Sequence, residues 1–213
     1  MGNIVVIDYG MGNLRSVSKA LEHVTDQKVL VSSDAKEILK ADRVVFPGQG
    51  AMGAAMQHMR ERDLVEVVHQ VSREKPFLGI CLGLQALMTH SAEDGGVDGL
   101  NVIPGQVLHF DYLFKQQAVD ASSLKIPHMG WNHVQQSSSH PLWENIENNS
   151  RFYFVHSYYI KPDLADEVTA TTNYGAEFTS AAGADNWFAV QFHPEKSQQS
   201  GLQLLKNFVH WNV

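Results

Sequence analysis

The sequence predicts an α/β protein with a mostly parallel central sheet flanked by helices, and with antiparallel strands added in its C-terminal half. Three observations predict it. In the first half, short β-branched runs alternate with segments whose apolar residues recur at helical spacing. From about residue 100 the texture changes to closely spaced β-prone runs separated by turn residues. No repeat, low-complexity tract or linker interrupts the chain, and 213 residues is a length that one full core accounts for, so residues 1–213 read as a single domain.

Each element has its own signal. NIVVID (3–8) is a short apolar run that ends in a turn at Tyr9-Gly10-Met11-Gly12; Leu14, Val17, Leu21 and Val24 then follow at helical spacing. VLVSS (29–33) reads as a second strand, and Asp34 with Glu37 three residues later has the pattern of a capping box opening a helix. RVVFPG (43–48) is the third strand, residues 51–73 form one or two helices, and PFLGI (76–80) is the fourth strand. Strands joined through helices run parallel, with helices covering the sheet faces. In the second half VIPGQVLHF, RFYFVHSYYI, EVTATTN, EFTSAAG and NWFAVQF read as antiparallel strands, the last two joined by a Gly-Ala-Asp-Asn turn. Leu202, Leu205, Phe208 and Val209 give a closing helix one apolar face, and residues 111–125 read as a long loop.

Composition excludes several functions. The formal charge is −7 and no run of Lys or Arg is present, whereas a phosphate-binding surface needs clustered cations. No stretch has the roughly 18 apolar residues that span a bilayer, and MGNIVVIDYG lacks the basic start of a secretory signal. The single cysteine, Cys81, excludes an intramolecular disulfide, and the expected location is cytoplasmic.

That cysteine stands in Gly79-Ile80-Cys81-Leu82-Gly83-Leu84-Gln85, where a buried strand gives way to a helix. The spacing is the cysteine form of a nucleophile elbow: a strand turning sharply into a helix crowds its corner residue, and flanking glycines remove the side chains that would clash. The corner thiol then stands at a helix N-terminus, which favours thiolate, and the N–H of Leu82 faces an oxyanion formed on the attacked carbon. A buried structural cysteine is the plainer reading of a lone cysteine, and the flanking glycines at a strand–helix junction favour the elbow over it. Cysteine catalysis also needs a base and a group to hold it. FAVQF leads into His193-Pro194-Glu195, where Pro194 keeps His193 extended and Glu195 stands within reach of the ring. By itself this is an ordinary strand-end histidine, one of 11 in the chain.

Gly48-Gln49-Gly50-Ala51-Met52-Gly53 satisfies Gly-x-Gly-x-x-Gly but follows the third strand, with Asp63 and Glu66 in helical sequence rather than at a strand end. A dinucleotide fingerprint wants the first strand of its unit and an acid at the end of the next. Gly10-Met11-Gly12 fails too, because Arg15 takes the third glycine position.

Together, Gly-x-Cys-x-Gly-x-Gln and the late His-Pro-Glu resemble the class I (triad) glutamine amidotransferases, whose fold is flavodoxin-like. The resemblance implies Cys81 as nucleophile, His193 as base, Glu195 as its orienter, and Pro47-Gly48-Gln49-Gly50 as the loop that completes the oxyanion hole beside Leu82. IDYGMGNLRS (7–16), PHMGWN (127–132), FVHSYY (154–159) and FHPEKS (192–197) are similar to the glutaminase subunits of imidazole glycerol phosphate synthases, from residue 4 to about 209. That likeness implies hydrolysis of glutamine to glutamate and ammonia, with Gln85 and the Ser157 backbone holding the substrate. It also implies a (β/α)₈ cyclase as partner in a heterodimer, met through Met129, Trp131 and Tyr153, and neither cofactor nor metal. The alternatives are the glutaminase of another synthase, such as anthranilate synthase, which shares the triad but not PHMGWN, and a scaffold that docks a partner without chemistry.

Overall fold

The computed structural model describes residues 2–122 and 124–213. Its first half is β1 (Asn3–Ile7), α1 (Leu14–Val24), β2 (Lys28–Ser32), α2 (Ala35–Leu39), β3 (Arg43–Gly48), α3 (Met52–Glu61), α4 (Val65–Glu74) and β4 (Phe77–Cys81). A short α5 (Leu82–Leu87) follows, then β5 (Met88–Ser91), β6 (Val97–Asp98), β7 (Ile103–His109) and α6 (Phe110–Gln116). The chain continues through β8 (His128–Gln136), β9 (Ser150–His156), β10 (Tyr158–Pro162), β11 (Val168–Tyr174), β12 (Ala176–Gly183) and β13 (Trp187–Val190), and ends in α7 (Gln198–His210).

The strands join in the order β2-β1-β3-β4-β13-β12-β10-β7-β5-β6, with β11 branching from β12 to carry β8 and β9. Pairing from β2 through β13 is parallel, and β13–β12, β12–β10 and β10–β7 are antiparallel. Both faces of the parallel part are covered. Ile4 and Val6 of β1 enter one apolar cluster with α1 and α7, whereas Val5 and Ile7 enter the other with α3 and α4. A strand buried on both faces has no polar alternation to display, which is why NIVVI reads as a continuous apolar run.

Several expectations need correction. NWFAVQF does not simply extend the antiparallel half: β13 lies parallel to β4 at the centre of the sheet and antiparallel only to β12. Residues 111–125 are not one long loop, because α6 occupies Phe110–Gln116 and buries Phe110, Leu113 and Phe114; Ser123 of that segment lies outside the described residues. RFYFVHSYYI is two strands broken at Ser157. The capping box is incomplete: Asp34 accepts from the Lys36 N–H, but Ser32 Oγ takes the Asp34 N–H and donates to Glu37. On α7, Leu204 is buried and Leu202 only half-buried.

Candidate active site

Three neighbouring parallel strands end together. In the β3–β4 register Gly48 faces Cys81, and in the β13–β4 register Val190 faces Ile80. The loop after β3, the turn after β4 and the segment after β13 therefore leave the sheet side by side, at the carboxyl ends where open α/β sheets form their crevices. This places His193 next to Cys81 despite their distance in sequence.

Cys81 caps α5 with φ 56° and ψ −111°, a conformation that non-glycine residues rarely adopt and that costs about 1–3 kcal/mol. The two glycines that matter most here are Gly83 and Gly48. A Cβ on Gly83 would strike the Phe46 carbonyl oxygen of β3, and one on Gly48 would strike the Tyr9 hydroxyl and lie 2.9 Å from the Leu82 Cβ. Close approach of α5 to β3 is what they permit, and it holds the sulfur at the rim of the sheet.

His193 Nδ1 lies 2.8 Å from Glu195 Oε1, with side chains only 4% and 1% exposed. Burial pulls the His193 pKa down, but the adjacent Cys81 sulfur and the Glu195 carboxylate together push it up to about 10. Its Nε2 is buried without a formed hydrogen bond, so the sulfur acts on it mainly through charge at this geometry. The turn is anchored behind: His193 N–H donates to the Tyr153 carbonyl at 2.9 Å, and Ser197 Oγ donates to the His193 carbonyl at 2.6 Å.

In front of Cys81 lies a cavity of about 700 Å³. Gln49, Gly50, Cys81, Leu82, Gln85, Ser157 and His193 all reach its wall. Such a volume suits a small metabolite, and its wall includes a carboxylate, Glu93, and an ammonium, Lys196. Among the described residues, no group of three or more His, Cys, Asp or Glu side chains is placed to hold a metal, and no helix is long and apolar enough to cross a membrane.

Residues 5–211 match the family model of class-I glutamine amidotransferases. The chain belongs to that family. The amidotransferase is 55% identical to imidazole glycerol phosphate synthase subunit HisH of Aromatoleum aromaticum over 212 residues, covering 99% of each chain. It is 53% identical to the same subunit of Acinetobacter baylyi over 214 residues, covering 100% of each. Among solved structures its fold is similar to PurLQS of Thermotoga maritima, with TM-score 0.72 at 17% identity over 99% of each chain. It is also similar to a glutamine amidotransferase, with TM-score 0.70 at 15% identity over 97% of each chain.

The amidotransferase brings the expected catalytic and substrate-binding residues into one place, with two distinctions. Gly48 lies beside Cys81 but behind the cavity wall, while Gln49 and Gly50 line it. Ser157 lines the cavity with its carbonyl already accepting from the Phe110 N–H at 3.1 Å, so a further backbone contact is left to its N–H. Met129, Trp131 and Tyr153 stand apart on one face of the β8–β9 ribbon, with Trp131 directly opposite Tyr153 in the register. Met129 is 62% and Trp131 38% exposed, and Arg151 lies over the Trp131 ring at 5.8 Å. The other ribbon face buries His128, Val134, Phe152, Phe154 and His156.

No role at the site was read for Gln191, Glu93, His156 or Tyr9, although Tyr9 lies in IDYGMGNLRS and His156 in FVHSYY. Gln191 has a local signal of its own, as an amide at the end of the apolar run FAVQF. The Tyr9 hydroxyl is buried and unpartnered near the elbow, its pKa raised first by burial and then by the Cys81 sulfur. Glu93 accepts the Met52 N–H at 2.8 Å, and burial raises its pKa.

Proposed function

We propose that this chain, acting as one domain, is the glutaminase of an imidazole glycerol phosphate synthase, hydrolysing glutamine with Cys81, His193 and Glu195. The observation that carries the reading is a buried His193–Glu195 pair beside a cysteine held at positive φ, opening on a cavity of small-molecule size. The Cys81 thiolate attacks the amide carbon of glutamine, and the oxyanion is met by the Leu82 N–H and the loop at Gly48, Gln49 and Gly50. The C–N bond breaks as His193 gives its proton to the leaving nitrogen, releasing ammonia. His193 then takes a proton from water, which adds to the glutamyl thioester; the C–S bond breaks, and glutamate and the thiolate are released. Glu195 keeps Nδ1 protonated and the ring aimed at the sulfur. Gln85 and the Ser157 N–H hold the substrate.

Ammonia passes to a (β/α)₈ cyclase subunit that makes imidazole glycerol phosphate and an aminoimidazole carboxamide ribotide, in histidine biosynthesis. The identity to the HisH subunits, the resemblance carried by PHMGWN and the face that exposes Met129 and Trp131 beside half-buried Tyr153 support that partner. Tyr153 also ties the docking face to the site, because its backbone bonds both His193 and Ser197. The test is Cys81→Ala in the assembled enzyme. Glutamine-dependent synthesis should be abolished while synthesis from ammonium salts persists; retained glutaminase activity would refute the assignment.

A further inference from the structure

Gln191 is fully buried two positions ahead of His193, with its backbone N–H on the Ser180 carbonyl and its side-chain amide between Gln85 and the Cys81 sulfur. A buried amide is costly unless its groups are paired, so the direction of each bond can be worked out. The Tyr158 carbonyl, which can only accept, takes one N–H from Gln85 Nε2 at 3.1 Å and another from His156 Nδ1 at 2.7 Å. That fixes the nitrogen end of the Gln85 amide. The same nitrogen donates to Gln191 Oε1 at 3.0 Å. The Gln191 NH₂ group is thereby turned toward Cys81 Sγ, at 3.7 Å. Reversing Gln191 would set two NH₂ groups against each other and aim a carbonyl oxygen at the sulfur.

A donor held against sulfur in a site of low dielectric stabilises the thiolate over the thiol, because an N–H to a charged acceptor is the stronger bond. We infer that Gln191 is a further residue of the catalytic machinery, a thiolate-stabilising donor aimed at Cys81 by the Tyr158 carbonyl through Gln85. The inference rests on Cys81 being the nucleophile. It also gives Gln85 a second role, because an amide that holds substrate is bonded to the group that holds the sulfur. A ligand moving Gln85 therefore alters the donor at Cys81.

The test uses the full chain, where the single cysteine makes alkylation site-specific. The rate of iodoacetamide reaction is measured against pH for wild type, Gln191→Met and Gln191→Leu, both of which fill the site without a donor. The inflection should move up by about one pH unit in each variant. With the partner present, glutamine hydrolysis should fall about tenfold near neutral pH and recover as pH is raised. An inflection unmoved in a folded variant overturns the proposal. Failure of both variants to fold assigns Gln191 to the core and overturns it equally. Alkylated wild type that still hydrolyses glutamine would instead refute Cys81 as nucleophile, a result separate from the shift in the thiol's pH profile.

Discussion

Replacing Glu195 with Gln separates its charge from its shape. The carboxylate accepts from His193 Nδ1 at 2.8 Å, and at 1% exposure the contact is not screened by solvent. The amide introduced by Glu195→Gln would keep an acceptor oxygen in the same place, so the loss is the difference between a charge-assisted and a neutral hydrogen bond. Charged bonds contribute about 1.5–3 kcal/mol and neutral ones about 0.5–1.5, a difference of about 1–2 kcal/mol. At about 1.4 kcal/mol per decade, the His193 pKa should fall by about one unit and the rate of thioester formation by about 5- to 30-fold. His193→Ala removes the base itself and should cost about 10²- to 10⁴-fold. Rapid-quench measurement of the thioester across pH, in the assembled enzyme, reads both. The ordering fails if Glu195→Gln is as slow as His193→Ala, or if its pH profile matches wild type. Wild-type speed in His193→Ala would mean that another residue is the base.

Trp131→Ala should weaken binding to the cyclase by about 2 kcal/mol, roughly 30-fold in Kd, while the far-UV circular dichroism stays unchanged; unaltered affinity and coupling would remove the β8–β9 face from the interface. The His128 and His156 pKa values are depressed to about 4 and about 3, chiefly by burial, so both histidines are neutral in the fold but take up protons near pH 6.5 when unfolded. Their contribution to stability is complete above that pH and is lost as pH falls through 6.5 toward the folded values, at up to about 1.4 kcal/mol per pH unit for each. Urea unfolding at pH 7 and pH 5 should show a shallower loss in His128→Asn than in wild type, and an equal slope would refute the assignment. Gly83→Ala should cost about 1–3 kcal/mol or more and abolish glutamine hydrolysis, because its methyl meets β3 backbone; Gly53→Ala, on α3 with its nearest atom Val97 Cγ2 at 3.8 Å, should be neutral or slightly stabilising in thermal unfolding.

Local chemistry is what the sequence carries openly. β1, β3 and β4 were legible because a strand buried on both faces must be apolar throughout. The elbow around Cys81 and the turn at His193 were legible because a positive-φ corner and an extended residue before proline each restrict their neighbours. Long-range pairing is not written in that way. The apolar run WFAV marks β13 as a buried strand, but nothing in it says that its neighbour is β4, and that register is what brings His193 to Cys81. PHMGWN was visible as aromatic and apolar, yet only its pairing with β9 sorts Met129 and Trp131 outward from His128 inward. DYLFKQ (111–116) is too short to show a helical period, and α6 exists because Phe110, Leu113 and Phe114 find a core to bury against. Gln191 was one amide in an apolar run; its direction depends on a carbonyl in β10 and an amide in α5, groups that no local pattern brings together. Which residues carry the chemistry can be read along the chain, because reactive groups need particular neighbours there. How they are aimed comes from the fold, because a hydrogen bond's direction is set by whatever folding places across from it.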